Sequence, residues 1–167
     1  MSNVRAIGYD IDGQLAWEGP MSDVAAETRT PAHLWVVGAI SLIWNGFGAF
    51  DYLMTRTGAE WYVSNMSAEE LAYFEAYPLW MDIAWPLGVW GALFGSIGLL
   101  LRKGWAVSMF AGSLFGLLLA TIYNFVLIDG FTAMAGGAIV VMNIAIWAVA
   151  FLLLIYAVRM KNRGVLN

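Results

Sequence analysis

The chain contains no cysteine and one histidine, His33, in 167 residues. Disulfides, thiolate metal sites, iron–sulfur clusters and cysteine nucleophiles are thereby excluded, and a lone imidazole rules out His-rich zinc sites and bis-histidine haem. Charge is scarce as well, at 12% of residues, where a soluble domain carries about 25%. The net charge is -4, and the absence of a basic patch argues against nucleic acid as a partner. The first thirty residues hold Asp10, Asp12, Glu18, Asp23 and Glu27 and no apolar core of a cleavable signal, so this segment is expected to persist. What the chain has in excess is apolar surface, 61% of residues. Its few charges gather in short segments instead of covering a surface, so hydrocarbon is the expected solvent for most of it.

Uninterrupted runs without Asp, Glu, Lys or Arg cover residues 34–50, 83–101, 104–128 and 130–158. Each approaches or exceeds the roughly 20 helical residues that cross a hydrocarbon core about 30 Å thick. Because lipid offers no hydrogen bonds to backbone N–H and C=O groups, and the runs do not alternate in polarity, helices are expected rather than barrel strands. The predicted fold is an all-α membrane protein with four antiparallel spans at about 33–54, 80–101, 105–128 and 133–158. Arg5, Arg29, Arg102, Lys103, Arg159, Lys161 and Arg163 fall on one side of that arrangement and Arg56 alone on the other. Basic residues near span ends stay in the cytoplasm, which predicts cytoplasmic termini and disfavours a dual topology.

Residues 1–30 read as a polar, mostly irregular cytoplasmic tail before the 31–163 span domain, with Asp12-Gly13 and Gly19-Pro20 as turn signals. Thr30-Pro31 resembles an N-cap followed by proline at the first helical position. In the external connection, Ser67-Ala-Glu-Glu70 fits a capping box and predicts a short helix on the outer membrane surface, with Trp61, Tyr62, Tyr73 and Tyr77 at headgroup depth. Asp129-Gly130 is expected to turn spans three and four into a hairpin. Close helix contact in lipid depends on small residues. Ala84, Gly88, Gly91, Gly95 and Gly98 form one seam, Gly112, Gly116 and Ala120 a second, and Gly136 precedes Asn143 by one heptad. These seams are expected to serve packing within the bundle, with a face between copies as the alternative.

Polar residues within spans carry the functional interest, because charge in the membrane interior is costly. Asp51 ends span one and Asp82 begins span two, which predicts similar depth near the outer boundary, with Tyr123 and Asn124 in the same layer. Pro86 cannot donate to the Asp82 carbonyl, so a backbone acceptor is left beside a carboxylate able to hold a cation, a proton or water. The plainer alternative is that the span starts near Asp82 and Pro86 sits in its first turn without cost. For Asp51 the plainer alternative is a boundary carboxylate, paired with Arg56 or in contact with headgroups. Asn45 and Asn143 read as amides bonded across helices. Trp44 and Trp85 are expected near the Asp51 and Asp82 layer, either lining a vestibule or anchoring the interface, and Trp90 and Trp147 also need acceptors for their N–H groups. His33 reads as a boundary residue. Asp10 and Asp12 before Gly13 resemble the start of a calcium loop whose later ligands are missing. No nucleophile, phosphate loop or metal cluster is legible, so neither enzymatic activity nor a cofactor is expected.

The blocks Ser41-Leu-Ile-Trp-Asn-Gly-Phe-Gly-Ala-Phe-Asp-Tyr-Leu-Met-Thr55 and Tyr73-Phe-Glu-Ala-Tyr-Pro-Leu-Trp-Met-Asp82, continuing through Trp85-Pro-Leu-Gly-Val-Trp-Gly91 to Arg102, resemble a family of small four-span proteobacterial proteins. The resemblance covers roughly residues 34–163, and members often carry a sugar-transporter label. It implies an inner-membrane protein and transfers no site residues. The reading is a lipid-embedded protein that binds or moves a small solute or ion near Asp51, Asp82 and Asn124, as a homo-oligomer if it transports. The competing reading is an accessory or scaffold subunit of a larger membrane complex. A phosphatase reporter that works only outside the cytoplasm is expected to be silent when fused after Asn167 and active when inserted between residues 58 and 79. The opposite pattern would overturn the orientation.

Overall fold

Backbone that must close its own hydrogen bonds in hydrocarbon has one economical solution, and the chain adopts it four times. The structure, a computed structural model, describes residues 5–9, 11–20, 30–127 and 137–167. The long helices are α1 (Ala32–Thr57), α4 (Met81–Leu100), α5 (Trp105–Ile122) and α6 (Gly137–Asn162), with short helices α2 (Glu60–Val63) and α3 (Ala68–Glu75) between α1 and α4. Both α1 and α6 have 26 residues and α4 has 20, while α5 runs on through a π-helical turn, Tyr123–Leu127. Four helices are long and apolar enough to cross a membrane, and the protein is a multi-pass membrane protein built as a helix bundle. Asp129, Gly130 and Gly136 lie outside the described residues.

Helix α4 is the centre: α1 and α5 pack on it, and α6 packs on α5. The α4–α5 contact rests on the glycine seam. A Cβ at Gly91 would lie 3.0 Å from the Met109 carbonyl oxygen, one at Gly95 2.8 Å from the Phe110 ring, and one at Gly98 2.9 Å from Ala106 Cβ. At Gly116 the fit is tightest, with an added Cβ 2.5 Å from the Gly88 nitrogen and 2.6 Å from the Ala84 oxygen. Backbone meets backbone there, and Ser113 Oγ donates to the Gly88 carbonyl at 2.5 Å. These glycines therefore pack within one chain. Gly112 lies at the edge of this contact: a Cβ would find only Leu87 Cδ1 of α4, at 3.8 Å. Gly38, which the spacing did not single out, brings α1 onto Leu100.

One end of the bundle carries residues 30–34, the 101–104 turn and residues 163–167; it is called here the terminal end, and the opposite one the distal end. The apolar core of the terminal end joins Leu34, Leu99, Phe110, Leu153, Ala157 and Met160. Residues after α6 fold back over it. Gly104 N–H donates to the Asn167 carbonyl at 2.6 Å, and Asn167 N–H donates to the Arg102 carbonyl at 2.8 Å, burying Val165 and Leu166. Pro31, not Thr30, is the N-cap of α1; the Thr30 hydroxyl accepts from Arg102 instead. At the distal end of α1, Gly58 takes φ 61° and closes the helix, with Ala59 N–H reaching the Met54 carbonyl, an arrangement that suits a residue without Cβ.

The N-terminal stretch differs from the irregular tail expected. It forms an antiparallel hairpin of β1 (Arg5–Tyr9) and β2 (Leu15–Pro20), pairing Tyr9 with Leu15 and Arg5 with Pro20. Gly13, at φ 76°, makes the turn that Asp12-Gly13 suggested. Gly19-Pro20 ends a strand rather than making a turn, since proline is tolerated at the edge of a ribbon.

Gly116→Ala is expected to destabilise the protein by about 1–3 kcal/mol through overpacking against α4 backbone, read as the midpoint of thermal unfolding in detergent. Gly112→Ala should stay within about 0.5 kcal/mol.

Candidate solute site at the distal end

Asp82 lies in the first turn of α4, where a carboxylate favours the positive end of the helix dipole. Pro86 falls beyond that turn, inside the helix, so the Asp82 carbonyl does lack its ordinary donor. Each of the two sequence readings of this segment thus holds in part. The partner of Asp82 is Arg56, whose Nη2 stands 2.6 Å from Oδ1, with both side chains about one-third exposed. This is an ion pair and not an aligned hydrogen bond: Asp82 Oδ1 and Thr55 Oγ1 are the two buried side-chain oxygens among the described residues with no hydrogen-bond partner. Pairing of Arg56 with Asp51, one of the plainer alternatives for that carboxylate, is not what the structure has. Arg56 reaches Asp82 because residues 45, 49, 52 and 56 of α1 form the face turned to α4.

Asp51 falls about 100° off that face. It is exposed and accepts a hydrogen bond from the Tyr62 hydroxyl in α2. That bond to a carboxylate, with smaller contributions from burial and charge repulsion, pushes the Tyr62 pKa up to about 12. The protonated phenol is favoured, so the contact contributes fully below the ordinary pKa of 10 and is lost as pH climbs through 12.

Asn124 has a third set of partners. Its Oδ1 accepts from the Tyr73 hydroxyl, and Tyr123 beside it donates to the Ala76 carbonyl at 3.3 Å. Both residues, at the start of the π-helical turn Tyr123–Leu127, thus serve the same connection. Tyr77 also reaches Tyr73 and Asn124, and burial raises the pKa of Tyr73 and Tyr77. Around them Phe74 stacks on Trp85 at 5.4 Å, Tyr52 meets Trp85 edge-on at 5.0 Å, and Tyr77 and Trp80 meet Tyr123. Helix α3 opens on the capping box foreseen at Ser67 and Glu70, both bonds being present. It does not simply rest at headgroup depth: Tyr73 is buried and docks the helix on the ends of α4 and α5, whereas Trp61 is 63% exposed.

No family model matches the chain, and no curated protein or solved structure matches it.

Geometry alone therefore sorts the candidates. Asp51, Asp82 and Asn124 share the distal end but not one pocket, each being held by a different partner. Trp85 belongs to the aromatic cluster above Asp82. Trp44 does not; one residue from the α4-facing Asn45, it turns to a groove beside α6. Asn45 Nδ2 donates to Ser96 Oγ at 2.9 Å and to the Ala92 carbonyl at 3.3 Å, a bond across helices in the packed middle. Trp147 Nε1 finds Thr121 Oγ1 at 3.0 Å, and Asn143 on α6 is half-buried and partnered. Among the described residues no three His, Cys, Asp or Glu side chains come together as metal ligands. Sequence reasoning missed Thr55 and the Tyr73 anchor; the position of Tyr73 six residues after the cap at Ser67 held a signal, the inward face of the short helix.

Tyr73→Phe leaves a half-buried amide oxygen unpaired at an expected cost of about 1–3 kcal/mol. Amide hydrogen exchange over residues 68–77 should accelerate in the variant while exchange in the middle of α4 is unchanged.

Proposed function

We propose that this membrane protein binds a small polar solute at its distal end, between the last turn of α1 and the first turn of α4. One observation carries the reading: a carboxylate oxygen and a threonine hydroxyl, Asp82 Oδ1 and Thr55 Oγ1, are buried there without hydrogen bonds, beside a guanidinium and the Tyr52–Trp85 edge. Buried polar atoms are normally satisfied; Asp82 Oδ1 has only the charge of Arg56 and Thr55 Oγ1 has no partner, so both retain bonding capacity that a ligand could use. Arg56 already neutralises Asp82, which disfavours a bare cation and favours a neutral solute rich in hydroxyls, able to bond both members of the pair and rest on an aromatic edge. The resemblance to four-span proteins labelled sugar transporters makes a sugar the first solute to test. In this reading the distal end faces outward, as the basic residues of the terminal end require in a bacterial inner membrane.

A second reading, an accessory or scaffold subunit of a larger complex, is favoured by a different observation. The middle of the bundle is closed by glycine contacts, and its polar groups Asn45, Ser96 and Ser113 bond one another or backbone. A single bundle then offers a binding site without a polar path across, and transport would call for a second copy or another chain.

Binding of radiolabelled sugars to the detergent-purified protein, and uptake after reconstitution, separate the two. Asp82→Asn is expected to weaken binding about tenfold, as loss of a charged hydrogen-bond acceptor does, and Asp51→Asn to change it less than about twofold. Unchanged binding in Asp82→Asn, together with a stoichiometric protein partner, would favour the accessory reading.

A further inference from the structure

Away from the distal site, the seam between α1 and α6 changes character along its length. Toward the middle of the membrane it opens as a shallow apolar groove walled by Val37, Ile40, Ser41 and Trp44 on one side and Val149 and Leu153 on the other. Ile40 and Trp44 are exposed to the surrounding hydrocarbon, and Ser41 spends its hydroxyl on the Gly38 carbonyl. The groove runs from Val37 to Trp44 of α1, roughly 10 Å of helix. Further along the seam, about one helical turn nearer the terminal end, lies a polar bridge between the same two helices: His33 Nδ1 and the Tyr156 hydroxyl stand 2.6 Å apart, with the rings edge to face. Arg163, in the turn that follows α6, is exposed and close enough to act electrostatically on the Tyr156 hydroxyl. Arg159 and Lys161 are exposed at the same end.

We infer that this seam is a binding site for an anionic phospholipid of the leaflet at the terminal end, with one acyl chain in the groove and the phosphate at His33, Tyr156 and Arg163. A groove lined by carbon and open to the bilayer interior is filled by hydrocarbon, so its occupant is a lipid chain. The headgroup is selected by charge: basic pockets between transmembrane helices on the positive side draw anionic heads. The hydroxyl bridge makes the selection local. With Nδ1 accepting from Tyr156, the exposed imidazole keeps its Nε2–H to donate to a phosphate oxygen, and the guanidinium of Arg163 supplies a paired donor of the geometry phosphates accept. The occupied lipid bridges α1 and α6, the two spans that α4 and α5 do not hold together directly.

The test uses the full chain in neutral detergent, titrated with phosphatidylglycerol or phosphatidylcholine carrying brominated acyl chains, with quenching of tryptophan fluorescence as readout and Trp44→Phe to isolate the Trp44 share. Saturable quenching that disappears in Trp44→Phe is expected. Phosphatidylglycerol should bind about fivefold tighter than phosphatidylcholine for each basic side chain engaged, and Arg163→Gln and His33→Gln should lower its affinity toward that of phosphatidylcholine. Val149→Trp, which fills the groove and leaves the basic end intact, should abolish saturable quenching of Trp44 by either lipid. Equal affinity of the wild type for the two lipids overturns the proposal without recourse to any variant. So does Trp44 quenching that persists in Val149→Trp.

Discussion

The backbone-to-backbone approach of α4 and α5 at Gly88 and Gly116 is the contact on which the rest of the bundle depends. In lipid no solvent drives apolar helices together, so association has to come from short-range packing and from hydrogen bonds that close contact permits. Four glycines on α4 remove the side chains that would hold α5 away, and the Ser113 hydroxyl can then reach the Gly88 carbonyl. With that pair fixed, a neighbouring face of α4 receives α1 through Asn45, Ser96 and Gly38, and a neighbouring face of α5 receives α6 through Thr121 and Trp147. The order of the spans across the bundle follows from which faces are small.

The two ends are held by different chemistry. At the terminal end a nine-residue apolar core and a backbone clasp between residues 102–104 and 165–167 tie three segments together. The distal end has a smaller buried cluster, Met81, Ala84 and Tyr123, and relies more on polar and aromatic side chains: an ion pair, tyrosine hydroxyls on Asn124 and Asp51, and edge-on aromatic contacts. Such contacts yield more readily than a packed core, and this is also where Pro86 and the π-helical turn interrupt the regular hydrogen bonding of α4 and α5. A binding site placed there can admit a ligand without disturbing the glycine seam.

Much of this was legible in the amino-acid sequence because the membrane simplifies the problem. Runs free of charge located the four spans to within a few residues, spacing of three and four located the seam, and Ser67 with Glu70 announced a helix start. What resisted reading were choices of azimuth and partner. Asp51 and Asp82 share a depth, yet one residue of rotation sends Asp51 to α2 while Arg56 crosses to Asp82. Trp44 parted from that layer for the same reason, a single residue off the face that packs on α4. The hairpin at residues 5–20 was hidden because glycine and proline signal a break equally well at a turn and at the edge of a two-stranded ribbon. Docking of α3 uses Tyr123 and Asn124 of a distant span as partners, which no local pattern announces.

The unequal lengths of the spans carry a consequence for the surrounding bilayer. Twenty residues make α4 about 30 Å long, a match to an ordinary hydrocarbon core, whereas the 26 residues of α1 and α6 reach about 39 Å. The flanking helices can lean or project into the headgroups, but the central one has no length to spare. A thicker membrane, such as one enriched in sterols, would strain this protein at its middle first, and thickness itself becomes a cue that sorts it among membranes.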